Sequence, residues 1–63
     1  MQVTMKKAQR LAQIGFITNV QITRDSEGNK IAQVDNCRTM RQDYFRVSEG
    51  DTIESINKAL GFN

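Results

Sequence analysis

Cys37 followed by Arg38, the carboxylates Glu49, Asp51 and Glu54, and the oxygen-bearing run Asp25-x-Glu27-x-Asn29 are the places where this sequence sets reactive or ligating side chains close together. A guanidinium beside a thiol favours the thiolate, the nucleophilic form. Such a nucleophile usually works with a base, and the chain has no histidine. Cys37 is therefore expected as a small core or strand-end residue. Glu49, Asp51 and Glu54 stand where a helix begins, and capping plus the helix dipole explain them without catalysis. The Asp25 run has the opening spacing of a calcium loop, but Lys30 occupies the sixth position, where glycine is needed, and Asn36 the twelfth, where glutamate is needed. Gly15, Gly28, Gly50 and Gly61 are isolated, so no glycine-rich phosphate loop is present. The expectation is a protein that is not an enzyme and uses neither metal nor cofactor.

Size and composition narrow the class further. A chain of 63 residues forms one domain, residues 1–63, near the size at which a single apolar core gives only marginal stability. One cysteine permits no intrachain disulfide, and an unstapled small domain points to a reducing, cytoplasmic location. Phe16-Ile17 is as long as any uninterrupted apolar run, far short of a membrane span, and no signal-peptide pattern opens the chain. Charge is uneven along the sequence. Residues 1–24 carry Lys6, Lys7, Arg10 and Arg24 with no acid, residues 25–46 balance, and residues 47–63 are net acidic. Such asymmetry can steer a polyanion to one part of the surface.

The elements that must position these residues follow from periodicity. Met5, Ala8, Leu11 and Ala12 recur at helical spacing, which predicts a helix over 5–14 capped by Thr4 and stopped by Gly15. From Phe16 to Arg24 the period becomes two, with Phe16, Val20 and Ile22 on the core face and Ile17, Asn19, Gln21 and Thr23 on the other. Asp25 to Asn29 makes a hairpin turn into a second strand, Lys30 to Asn36, with Ala32 and Val34 sharing a face. Gln42 to Val47 reads as a third strand, Phe45 and Val47 inward, Tyr44 and Arg46 outward. Asp51 as N-cap with Glu54 three residues on, the stripe Ile53, Ile56, Leu60, and the stop at Gly61-Phe62 mark a last helix. The fold class is α+β in αβββα order, a three-stranded antiparallel sheet with both helices on one face. Its other face is left open, displaying Asn19, Gln21, Thr23, Gln33, Tyr44 and Arg46.

Three resemblances attach to these residues. The stretch Phe45 to Gly61, with Val47-x-x-Gly50-Asp51-Thr52-Ile53-x-x-Ile56, resembles the first half of a LysM module and implies glycan binding; the match covers about a quarter of the chain and stops where that family's second helix would follow. The αβββα order is similar to that of double-stranded RNA-binding domains. There the second helix opens with a basic cluster, where this chain has Glu49, Asp51 and Glu54. A three-stranded sheet followed by a helix also resembles integrase arm-binding modules, which read DNA with the sheet.

The leading expectation is a small binding module that associates stoichiometrically with a protein partner. In size and style it is similar to inhibitors and regulators of host complexes made by phages and mobile elements, anti-CRISPR proteins included. Its expected anchors are Tyr44, Arg46, Arg41 and Arg38 with Gln21 and Asn19 beside them, since Tyr and Arg most often anchor protein contacts. The alternative is nucleic-acid binding through the open sheet and the basic first helix, with Lys6, Lys7, Arg10 and Arg24 as contacts. A homodimer paired through an edge strand is a further expectation.

Overall fold

The computed structural model describes residues 2–62. Thr4 has extended backbone and accepts the Lys7 N–H on Oγ1 (3.1 Å), which starts helix α1, Met5–Gln13. The chain then turns through Ile14 and Gly15, the latter at φ 83°, where a side chain would be strained. Strands β1 (Ile17–Arg24), β2 (Lys30–Asn36) and β3 (Arg41–Arg46) form an antiparallel sheet in the order β1-β2-β3. Helix α2, Ile53–Leu60, closes on Gly61 at φ 86°. The fold is the expected α+β arrangement. Ala8 and Ala12 of α1 and Ile56 and Leu60 of α2 pack with Ile17, Ala32, Val34 and Phe45 of one sheet face into a single core. Two layers are all that so few large side chains can seal.

Two local expectations need correction. Ile17, placed on the outer face by simple alternation, is 1% exposed in the core, while Phe16 is only half-buried. The cause is a bulge. Thr18 pairs with Asp35 and Gln21 with Gln33, so β1 spends one residue more than β2 across this interval. Asn19 absorbs it with φ 58°, a left-handed conformation that asparagine tolerates, and its Nδ2 donates to Asp35 Oδ2 at 3.0 Å. Inserting one residue flips the alternation, so Ile17, Val20 and Ile22 all reach the core side.

The second correction is at α2, whose N-cap is Thr52 rather than Asp51. Thr52 Oγ1 accepts from Ser55 N, and Ser55 Oγ accepts from Thr52 N, a capping box in which Ser55 stands where Glu54 was expected. Asp51 is already committed to the preceding turn, accepting the Ser48 N–H on Oδ2 at 2.8 Å and the Ser55 hydroxyl on Oδ1.

The sheet's outer face follows from the register. Gln21, Gln33 and Tyr44 lie in one cross-strand row, Thr23, Ile31 and Arg46 in the next, and Thr18, Asp35 and Gln42 in a third. Ile31 is 6% exposed although no helix covers it; Arg46 lies directly opposite, its aliphatic stem within cross-strand reach. Residue Gln2 bridges to Tyr44, and Val3 N donates to Tyr44 O at 2.8 Å, so the β3 edge is engaged there. At the other side of the sheet β1 is the edge strand, and its bulge and charged end are features that disfavour strand addition.

Asn19→Gly is expected to stay within about 1 kcal/mol of the parent protein, because glycine takes the left-handed conformation freely. Asn19→Val should lose about 2 kcal/mol or more by chemical denaturation. Equal losses for both would show that the Asp35 hydrogen bond, not the bulge conformation, is what Asn19 supplies.

Candidate binding surface

The two ends of the sheet use their charges differently. At the end formed by the β1–β2 turn, Arg24 donates from Nη1 and Nη2 to the two carboxylate oxygens of Glu49 (2.9 and 2.7 Å) and from Nη1 to Gly28 O. Lys30 Nζ donates to the carbonyls of Glu49 and Asp51 at 2.7 and 2.6 Å. These two cations hold the connection into α2 against the hairpin. The Arg24 guanidinium, expected among nucleic-acid contacts, is thus already bidentate to a carboxylate. Its hydrogen bonds hold the Glu49 carboxyl below its ordinary value, with burial opposing and the charges of Arg24 and Lys30 adding to the effect. Asp25 is lowered too, chiefly by the backbone N–H of Asn29, with burial opposing and the Asn29 amide, the Glu27 N–H and the charge of Arg46 assisting.

At the other end, Asn36 builds the β2–β3 turn from inside. Its buried side chain donates from Nδ2 to Asp43 Oδ2 at 3.0 Å, and its Oδ1 accepts the N–H groups of Arg38 and Thr39 at 3.0 and 3.2 Å. Its carbonyl accepts the Met40 N–H. Cys37 N donates to Phe16 O, and the Cys37 thiol lies 3.5 Å from Gly15 O. The Arg38 guanidinium sits over the Phe16 ring, 5.4 Å from its centroid. The turn is therefore fastened to the core, to the α1–β1 connection and to its own backbone. What it presents is Met40, 86% exposed and held at φ 59°, between the exposed Arg38 and Arg41. An apolar side chain without cover in a conformation favoured by glycine brings no stability that explains it.

The structure divides the expected anchors. Gln21, Tyr44 and Arg46 share the open face, whereas Arg38 and Arg41 belong to the turn; Arg41 and Arg46 are at opposite ends of β3, roughly 17 Å apart at the usual rise per residue. Asn19 is drawn into a side-chain chain across the open face: Asn19 Nδ2 and Gln42 Nε2 both donate to Asp35, and Gln33 Nε2 donates to Gln42 Oε1. These polar groups already satisfy one another. Lys6, Lys7 and Arg10, by contrast, are exposed together with Thr4 around a depression of about 280 Å³ on α1. Lys7 also faces Arg38 and Thr39 across a groove of about 200 Å³ whose walls include Val3 and Leu11 and whose lining includes Asn36 and Asp43. Through Lys7, which borders both depressions, the cations of helix α1, Lys6, Lys7 and Arg10, adjoin Arg38 of the β2–β3 turn, from residues far apart in sequence. Sequence reasoning missed Met40 and the apolar groove wall. Asn36 at a strand end, two and three residues before the N–H groups it accepts, was a readable turn signal.

Among the described residues there is no grouping of three or more Cys, Asp or Glu side chains suited to a metal ion, and no helix is long and apolar enough to cross a membrane. Comparison of the chain with protein-family models, curated proteins and solved structures returned no match.

Replacing Met40 with glycine should raise stability by about 0.5 kcal/mol, since relief of about 1–2 kcal/mol of left-handed strain exceeds about 0.4–1 kcal/mol of added chain entropy. A loss on chemical denaturation would mean that Met40 packs against the fold. The pH dependence has a definite sign. The folded-state values of Glu49 and Asp25 lie below their ordinary 4.5 and 3.8, so their contribution is complete above that range and disappears as pH falls through the depressed values. Melting temperature is expected to hold down to about pH 5 and fall below about pH 4. The Glu49→Gln, Asp25→Asn double variant should flatten that acid limb, and an unchanged limb would place the responsible carboxylates elsewhere.

Proposed function

We propose that this protein is a non-enzymatic binding module that associates stoichiometrically with a protein partner through the β2–β3 turn. The observation that carries the reading is Met40, exposed and strained, between two exposed arginines on a turn that Asn36 fastens to the core. Methionine and arginine are both enriched where proteins meet, and methionine adapts its shape to an unfamiliar surface. A turn secured at its base delivers these side chains with little ordering entropy left to lose. The open sheet face, where the amides of Asn19, Gln33 and Gln42 bond to one another and to Asp35, serves as hydrated surface in this reading. The mode of action suits an inhibitor or regulator of a larger complex, in the manner of phage and mobile-element proteins, and the exposed thiol of Cys37 suits a reducing, cytoplasmic setting.

Nucleic-acid binding is the second reading, favoured by the clustering of Lys6, Lys7 and Arg10 on one exposed side of α1. It requires a logarithmic salt slope of roughly one per phosphate neutralised.

Two immobilised variants separate the surfaces in capture experiments read by mass spectrometry. Arg38→Glu, Met40→Asp, Arg41→Glu is expected to lose a partner that the parent retains at fixed stoichiometry, with affinity reduced about a hundredfold, while Tyr44→Ala, Arg46→Ala retains it. The reverse pattern would move the contact to the open sheet face.

A further inference from the structure

The groove beside the turn has a composition that specifies more than a site for any polyanion. Its rim carries Lys7 and Arg38, with Arg10 further along α1, yet its walls include the partly exposed apolar side chains of Val3 and Leu11. Met40 adds exposed apolar surface on the same turn. A phosphate backbone has cations to meet here but nothing to place on Val3 and Leu11. A peptide segment with carboxylates on one side and apolar side chains on the other matches both. Asp43 is the carboxylate within this groove, 2% exposed and bonded to Asn36, so it lies beneath the cationic rim instead of on it.

Resting on the partner-binding reading above, we infer that the groove between α1 and the β2–β3 turn docks an acidic, amphipathic segment of a partner protein, its carboxylates on Lys7 and Arg38 and its apolar side chains against Val3 and Leu11. The amphipathic-segment-in-groove mode needs only side-chain anchors and leaves the sheet edges untouched. Complementary charge at the rim accelerates encounter and sets orientation, while the apolar wall gives the bound state its residence.

The test uses the full isotopically labelled chain and three probes: an amphipathic peptide of about 15 residues with Glu on one face and Leu and Phe on the other, poly-L-glutamate of the same charge, and a DNA duplex of matched length, each at about 50 mM and 200 mM salt. The amphipathic peptide is expected to bind at least about tenfold more tightly than poly-L-glutamate. Its amide shift changes should concentrate on Val3, Lys7, Leu11, Arg38 and Thr39, and Lys7→Glu, Arg38→Glu should weaken it about tenfold or more with the spectrum otherwise folded. Equal binding of the two acidic probes would overturn the inference by reducing the groove to diffuse electrostatics. Tighter binding of the duplex with a steep salt slope would overturn it in favour of nucleic acid. Shifts on Gln21, Gln33 and Tyr44 would overturn it in favour of the open sheet face. If no probe binds while the turn variant still loses its captured partner, the groove inference fails and the turn reading stands.

Discussion

The side chain of Asn36 joins the interior of this small domain to the part of its surface that stands out from the rest. One amide group donates to the buried Asp43 carboxylate and accepts two backbone N–H groups of the turn that follows. A buried polar pair is tolerable only when its hydrogen bonds are made, because water is not there to replace them. Asn36 also holds the backbone of the turn: its side chain accepts from Arg38 and Thr39, its carbonyl accepts the Met40 N–H, and Met40 follows in a left-handed conformation. On this turn Met40 is exposed and Arg38 lies over the Phe16 ring.

Charge is sorted by a similar economy of structure. Arg24 and Lys30 are drawn into the connection before α2, where Glu49 and two carbonyl oxygens need donors. An exposed ion pair of this kind adds little stability by itself, and its role is to fix a loop. Lys6, Lys7 and Arg10 lie along α1, and folding brings Arg38 of the β2–β3 turn beside Lys7. The result is a molecule whose cations at one end are structural and at the other face solvent. The open sheet face carries polar side chains that bond to each other along Asn19, Asp35, Gln42 and Gln33.

The order of elements was legible in the sequence because each depends on nearby residues. Helical spacing from Met5 to Ala12, alternation in the strands, Thr4 as a cap, and glycine at Gly28 and Gly61 act within a few positions of themselves, and the structure follows them. β2 begins and ends where alternation and turn residues placed it. Alternation also showed Phe45 as inward and Ala32 and Val34 as sharing a face, and the folded core contains all three.

Only the tertiary structure decided which face of β1 enters the core, which residue caps α2 and which cations stand together. Ile17 turns inward because the pairing of β1 with β2 contains a bulge, and a bulge is a property of two strands rather than of one. Thr52 caps α2 because Asp51 is engaged by Ser48 in the preceding turn. Lys7 and Arg38, thirty-one positions apart, share a groove because α1 runs back along the sheet to the β2–β3 turn. Local propensity acts through neighbours in the chain, so the sequence by itself determined the elements and their order. Pairing register and the assembly of a surface depend on residues brought together only when the core closes, and those the folded structure had to supply.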